Sequence, residues 1–290
     1  MALSKITNAS VADTAVHGRR NHIINGGFQC WQRSEDKENT GNGWAYWSVD
    51  RFQSNKGRFR KTTDTVDGRT VNVLQIDPSS GVYNSGRGVF TMIEDWNVYD
   101  KKTTLSVWVK ADAATTATLG LIYDYGTSST ANSGTTINVT TSWQRFEITY
   151  DAQTFTQAAG NYLLSSLQDG RTYYIAMAQL EDGDTATPFE HRSYGEELHL
   201  CKRYYQEGGR ERWTFPISTG DNGYRRTSID FHPKMRTTPT MSGLTWGGNH
   251  SSASSKSAQH IGSEGFDPYL DGLGSTQYAT IIVWKADAEL

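Results

Sequence analysis

Hydrolysis of a glycosidic bond needs two carboxylates facing each other across roughly 5 to 10 Å. The chain offers Glu94-Asp95, Glu181-Asp182 and Glu196-Glu197. Members of each pair are adjacent in sequence, at turns or on a predicted helix, where neighbours diverge by about 100° and do not converge on one bond. All three pairs read as structural or solvated, and no catalytic residue is expected. His199 and Cys201 project about 160° apart on the same predicted helix, which disfavours a metal site using both. The seven histidines form no cluster with ligand spacing, so no metal is expected. No nucleophile elbow, phosphate loop or zinc-protease helix is present.

The aromatic clusters suggest a different chemistry. A flat ring offers an apolar face to a pyranose while nearby polar groups orient its hydroxyls. Trp44, Tyr46 and Trp47 stand beside Asp50 and Arg51, and Tyr123 and Tyr125 flank Asp124 just before a Gly-Thr-Ser stretch. Trp44, Trp47, Tyr123, Asp124 and Tyr125 are the candidate carbohydrate-binding residues. Two plainer readings stay open beside that one: the rings pack a core, and Asp50-Arg51 is a salt-bridged corner. A third group, Trp246, His250, His260, Phe266 and Tyr269, lies in or beside the Gly- and Ser-rich stretch Gly247 to Thr276. Long loops of this kind are functional or disordered, so this one reads as an exposed recognition loop or as a loop without a ligand.

The elements that must position these residues are mostly strands. Val71, Val73 and Gln75 alternate with Asn72, Leu74 and Ile76, and Val89 to Ile93 form an apolar run. Leu105, Val107 and Val109 share a face with Trp108 opposite, Leu119, Leu121, Tyr123 and Tyr125 share another, and so do Phe146, Ile148 and Tyr150. Tyr174, Ala176, Ala178 and Leu180 mark one face of a further strand. Two short strands are expected around the Asn-Gly-Gly turn of NHIINGGFQCWQR, and Ser34 to Gly43 reads as a polar loop. Arg58 to Lys61 reads as solvated strand ends. Asp67-Gly68, Ser133-Gly134 and Asp169-Gly170 read as turns.

The period changes after Pro188. Ser193 suits an N-cap, with Glu196 as its capping-box partner and Gly208-Gly209 as the stop. The fold class is therefore all-β: a β-sandwich or jelly roll over residues 21–192, a short helix within 193–209, and a smaller C-terminal β domain over 210–290. Residues 1–20 form a polar arm. Tyr194, Leu198, Cys201 and Tyr205 are spaced by four, three and four, which makes a narrow seam. It serves as an oligomer contact or as a helix packed on its own domain.

Nine tryptophans and fifteen tyrosines, with only 20% charged residues, suit strands and loops. A formal net charge of −3 gives no overall basic field for nucleic acid or an anionic membrane. No apolar run has the length of a membrane span, and MALSKITNAS has no signal-peptide core, so a soluble chain made in the cytoplasm is expected. Cys30 and Cys201 read as reduced and partly buried.

Several strings in order, GRRNHIINGGFQCWQR, DRF, LSVWVKA, TSWQRFEITY, AQLEDGDTATPFEHRSYGEELHLCKRYY, FHPKMRTTPTMS and the terminal ADAEL, resemble bacteriophage tail-fibre and related virion proteins from about Gly18 onward. The resemblance implies a jelly roll like a carbohydrate-binding module, followed by a small distal β domain, in a fibre that is usually trimeric. It makes the N-terminal arm a virion-attachment segment and turns the distal domain toward a host-surface polysaccharide. Gln29 stands where modules with an Asn-Gly-x-Phe opening often carry an acid, so a structural calcium there is unsupported and no cofactor is expected. The implied function is non-enzymatic recognition of a host glycan. The alternatives are a capsid or tail decoration protein and, further off, a polysaccharide depolymerase, for which the repetitive strands of a β-helix are missing.

Overall fold

The computed structural model describes residues 19–39, 44–54, 57–78, 88–123, 131–155, 158–209, 211–214, 225–248, 255–271 and 278–289. Within these, the strands of the first unit are β1 (Asp36–Asn39), β2 (Gln53–Ser54), β3 (Gly57–Val66), β4 (Arg69–Asp77), β5 (Gly88–Met92), β6 (Thr103–Ala111), β7 (Thr115–Tyr123), β8 (Ala131–Val139), β9 (Gln144–Tyr150), β10 (Gly160–Ser165) and β11 (Tyr173–Asp182). They form two antiparallel sheets, in the orders β1-β3-β4-β11-β6-β9 and β2-β5-β10-β7-β8. The chain passes repeatedly from one sheet to the other, and the result is an all-β jelly-roll sandwich.

Its core lies between the sheets. Leu74, Ile76, Leu105, Val107 and Val109 from the six-stranded sheet meet Val89, Leu119, Leu121 and Leu164 from the five-stranded one. The alternation within β6, β7 and β9 is the one the sequence prescribes, and Trp108 faces outward. Asp67 (φ 49°) and Gly68 (φ 72°) make the tight turn between β3 and β4. Ser133-Gly134, by contrast, lies inside β8 and pairs with Leu121 and Gly120. The expected polar loop from Ser34 contains β1, which the Asp36–Arg58 ion pair helps to hold against β3. Arg58, Arg60 and Lys61 fall in the first half of β3, Arg58 exposed and the other two half-buried, and each pairs with a carboxylate, on Asp36, Asp77 and Glu35.

Strand β11 departs from simple alternation. A bulge falls between Ala176 and Gln179, with Met177 at φ +48°, and the facing reverses there. Tyr174 and Ala176 sit on the outer face, whereas Ala178 and Leu180 join Tyr173 and Ile175 in the core. The segment before the sandwich holds the bulge. Asn21 Nδ2 donates to Ala178 O at 3.0 Å, Leu180 N donates to Asn21 Oδ1 at 3.0 Å, and Ala178 N donates to Gly26 O at 2.9 Å. A Cβ on Gly26 would lie 2.1 Å from Ala178 O, so only glycine fits this approach.

No strands form around the Asn25 turn. Asn25, at φ 62°, accepts from Gln29 N and Cys30 N and donates to Cys30 O and Asp50 O, which closes a compact loop instead. Its side chain replaces the ladder bonds that a hairpin would supply.

Helix α1 (Tyr194–Lys202) starts where expected, with Ser193 Oγ accepting from Glu196 N. It ends at Arg203, before the Gly208-Gly209 stop, because β12 (Tyr205–Gly208) already pairs with the C-terminal strand. The remaining strands are β13 (Glu211–Thr214), β14 (Arg225–Arg226), β15 (Ile229–Asp230), β16 (Thr240–Gly248), β17 (Ser255–Gln259), β18 (Gly265–Asp271) and β19 (Tyr278–Asp287). They make a smaller β unit around Phe231, Phe266 and Trp284, whose ring centroids are 5.5 to 5.8 Å apart. The stretch Gly247 to Thr276 is therefore not one loop. It holds β17 and β18, paired from Ser255↔Asp271 to Gln259↔Asp267.

Candidate functional site

On the five-stranded sheet, the residues that alternate with the core point outward: Phe90 and Met92 on β5, Ile122 on β7 and Tyr162 on β10. Trp44 reaches them from the segment before β2, which is pinned by a bridge in which Ala45 N donates to Ser54 O and Ser54 N donates to Ala45 O. The Trp44 ring stands 4.8 Å from Phe90 and 5.9 Å from Tyr162, and Phe90 and Tyr162 are 5.4 Å apart, all in tilted or edge arrangements. Phe90 is fully buried and supports two half-buried rings. Beside them, Gly120 and Gly134 face each other across β7 and β8, next to the paired Thr118 and Thr136. A Cβ on Gly120 would lie 2.1 Å from Ser133 O, so bare backbone is obligatory here. Rings, low backbone and hydroxyls on one face suit a stacked pyranose.

The six-stranded sheet also carries outward aromatics: Trp108, Tyr174 and Trp143, packed on Val66, Val73 and Met177. Here a cation occupies the rings. Lys110 Nζ lies 5.1 Å from the centroids of both Trp143 and Tyr174 and pairs with Asp64, which also accepts from Trp143 Nε1 at 3.1 Å. The Lys110 hydrogen bond holds the Asp64 carboxyl below its usual range.

Asp50 and Arg51 form the salt-bridged corner. Arg33 lies 3.4 Å from Asp50, 3.1 Å from Asp287 and 3.4 Å from Glu289, while Arg51 pairs with Glu289 and stacks 3.5 Å from the Tyr204 ring. Asp50 is 1% exposed, and burial pushes its pKa up to about 6 against the pull of Arg33. These charges join the sandwich to the C-terminal strand, with Arg33, Asp50, Arg51 and Glu289 buried in the joint.

Of the candidate sugar residues, Trp44 is on the outer aromatic face and Tyr123 closes β7. Trp47 is half-buried, with its Nε1 buried and without a hydrogen-bond partner among the described residues. Asp124 and Tyr125 lie outside the described residues, as does His250. Phe266, 2% exposed, belongs to the C-terminal core and is no receptor contact. Trp246 sits half-buried on β16 and Tyr269 on β18. His260 is exposed at φ +47° and pairs with Asp267 at 3.1 Å. Ser228 Oγ donates to that same Asp267 at 2.8 Å, so the carboxylate lies between the hydroxyl and the imidazole, the reverse of a nucleophile's arrangement.

The helix seam is dismantled. Tyr205 lies on β12, and it and Cys201 are 3% and 1% exposed, so neither is an open contact; Tyr194 is 56% exposed and Leu198 half-buried. The face that α1 buries is Glu197, Leu200 and Cys201. Cys30 and Cys201 are free and wholly buried; burial first, then the adjoining Cys30, push the Cys201 thiol well above its usual pKa. The paired acids are all engaged: Glu94 by Arg203 and Tyr204, Glu181 by Gln179 and Thr187, Asp182 by His22 and Lys101, Glu196 by Arg19, and Glu197 by Asn25 N and Arg192. Asp95 caps a 3-10 turn at Trp96–Asp100.

Phe90 and Tyr162 are the site residues that a sequence reading misses. The only signal was the run Val89 to Ile93, apolar on both faces where one face should be polar.

No protein-family model matches the chain, and a search of curated proteins gives no significant match. Among solved structures it is similar to a CBM4 carbohydrate-binding module, with 16% identity, 56% of this chain and 100% of that one covered, and a TM-score of 0.38. It is also similar to the C-terminal family 22 carbohydrate-binding module of Clostridium thermocellum Xyn10B, with 15% identity, 52% and 100% coverage and a TM-score of 0.38. A third is the CBM22-1 xylan-binding domain of Paenibacillus barcinonensis Xyn10C, with 16% identity, 55% and 96% coverage and a TM-score of 0.35. Likeness at this level carries no functional argument, and the sandwich assignment stands on the strand pairing itself.

Proposed function

We propose that this chain is a non-catalytic glycan-binding protein that holds its sugar on the outer face of the five-stranded sheet. The observation that carries the reading is the Trp44–Phe90–Tyr162 cluster, in which a buried ring supports two half-buried ones beside a glycine-floored strand pair. Trp44 and Tyr162 stack on the pyranose, and Thr118 and Thr136 meet its hydroxyls. The finer reading is a homotrimeric virion protein of the tail-fibre class that recognises a host-surface glycan. The ordered sequence motifs support it, and exposed Tyr194 supplies an oligomer contact. In that reading the polar arm meets another virion protein; residues 1–18 of the arm lie outside the described structure.

Titration of the full chain with host lipopolysaccharide oligosaccharides tests the site. Trp44→Ala should lower affinity at least tenfold, or about 1.4 kcal/mol, with little change in melting temperature. Unchanged affinity removes the site. Competition with phage adsorption and a trimer mass by light scattering test the finer reading.

A further inference from the structure

A cavity of about 340 Å³ opens on the other side of the sandwich, outside the six-stranded sheet. The β11 bulge makes its floor by turning Met177 outward at φ +48°. A side chain held in the left-handed region is a strained arrangement, and bulges of this kind re-aim residues beside binding sites. Arg69 and Asn72 of β4 form one wall, and Phe189 and His191 form the other, their rings 4.9 Å apart and nearly perpendicular. Gln29, on the Asn25 loop, closes the end and donates to Arg192 O at 3.1 Å.

The lining contains no carboxylate. The Arg192 guanidinium is already held by Glu190, Glu197 and the carbonyls of Asn21 and Ile23. Arg69 differs: it is exposed at the start of β4, and no ion pair to it forms among the described residues. Burial and the nearby Arg69 push the His191 imidazole below its usual pKa, so at neutral pH the ring is a neutral hydrogen-bonding wall. One unpaired cation, one aromatic ring and two side-chain amides surround a space at the small end of ligand sites.

We infer that this cavity binds a single acidic sugar residue of the uronic acid class, with its carboxylate on Arg69 and its ring against Phe189. An arginine fork recognises a carboxylate far better than it does a neutral hydroxyl. The site is separate from the Trp44 face, so the two readings succeed or fail independently.

The test is calorimetric titration of the full chain at pH 7 with galacturonic acid, galactose and inorganic phosphate. Galacturonate should bind at least tenfold more tightly than galactose or phosphate. Arg69→Ala, at the exposed start of β4, should remove at least tenfold of that affinity while leaving oligosaccharide binding at Trp44 unchanged. Gly27→Val supplies a steric check, because a Cβ at Gly27 points between Gln29 and Phe189, 3.5 and 3.6 Å away, and should also abolish galacturonate binding. Equal affinity for galactose and galacturonate, no galacturonate binding, or full binding by Arg69→Ala overturns the inference. Phosphate binding as tight as galacturonate overturns the sugar assignment in favour of a general anion site.

Discussion

The two outer faces of the sandwich carry aromatic clusters of similar size, yet they are arranged for different work. On the five-stranded sheet, Trp44, Phe90 and Tyr162 contact one another in tilted and edge arrangements beside a stretch of bare glycine backbone. On the six-stranded sheet, Trp143 and Tyr174 are bridged by Lys110, and Asp64 ties that lysine to the Trp143 indole. A ring face already occupied by an ammonium group is a poor platform for a sugar. Counting exposed rings therefore does not locate a glycan site; what lies over them decides.

The largest effect should come from Phe90→Ala. Phe90 is 0% exposed and in contact with both Trp44 and Tyr162, so truncation leaves a cavity and costs about 3 to 5 kcal/mol of stability. Chemical denaturation would measure it, and a loss below about 1 kcal/mol would show that the cluster is loose and not a supported platform. Next comes Tyr162→Ala, which should weaken oligosaccharide binding by about tenfold and stability by far less. The matching change on the other face, Trp143→Ala, should do the opposite, lowering stability and leaving affinity alone. Equal affinity losses from the two would erase the distinction between the faces.

Much of the sandwich was legible because period-two alternation is a local signal. β4, β6, β7 and β9 needed only their own residues, and α1 announced itself through Ser193 and Glu196. What escaped depends on distant partners. The reversal within β11 is imposed by Asn21 and Gly26, more than 150 positions away, and no alternation rule contains that. β17 is polar, and β18 is the strand on which β14, β15 and β17 all pair, so pairing rather than period-two composition makes them strands. Ring chemistry singles out Trp44 as a candidate, but its neighbours Phe90 and Tyr162 come from other strands and only the sheet order brings them together. Cys201 and Tyr205 looked like a helical seam because a four-three-four spacing continues past Lys202, where β19 captures the chain as a strand.

Lys110→Met tests the capping directly. It keeps the apolar stem and removes the ammonium from above Trp143 and Tyr174, at a cost of about 0.5 to 1 kcal/mol for a partly exposed cation over rings. Thermal denaturation should show this small loss with glycan affinity unchanged. If the variant gains oligosaccharide affinity through the six-stranded face, ring occupancy was what kept that face silent, and the contrast between the faces becomes sharper.

The smallest effect is a pH dependence on the same face. The Lys110 hydrogen bond holds the folded Asp64 carboxyl below its unfolded value, opposed by slight burial. A depressed folded pKa means that the unfolded chain binds the proton first as pH falls. The stabilisation is therefore complete above the unfolded carboxylate range, near about 4, and is lost as pH drops through the lower folded value. Asp64→Asn keeps an acceptor for the Trp143 indole and removes the titration. The gap in melting temperature between the parent and this variant should be constant from pH about 7 to about 5 and close toward pH about 2. A gap that persists unchanged to that acidity would mean that the Lys110–Asp64 pair contributes nothing, leaving the two rings held by packing alone.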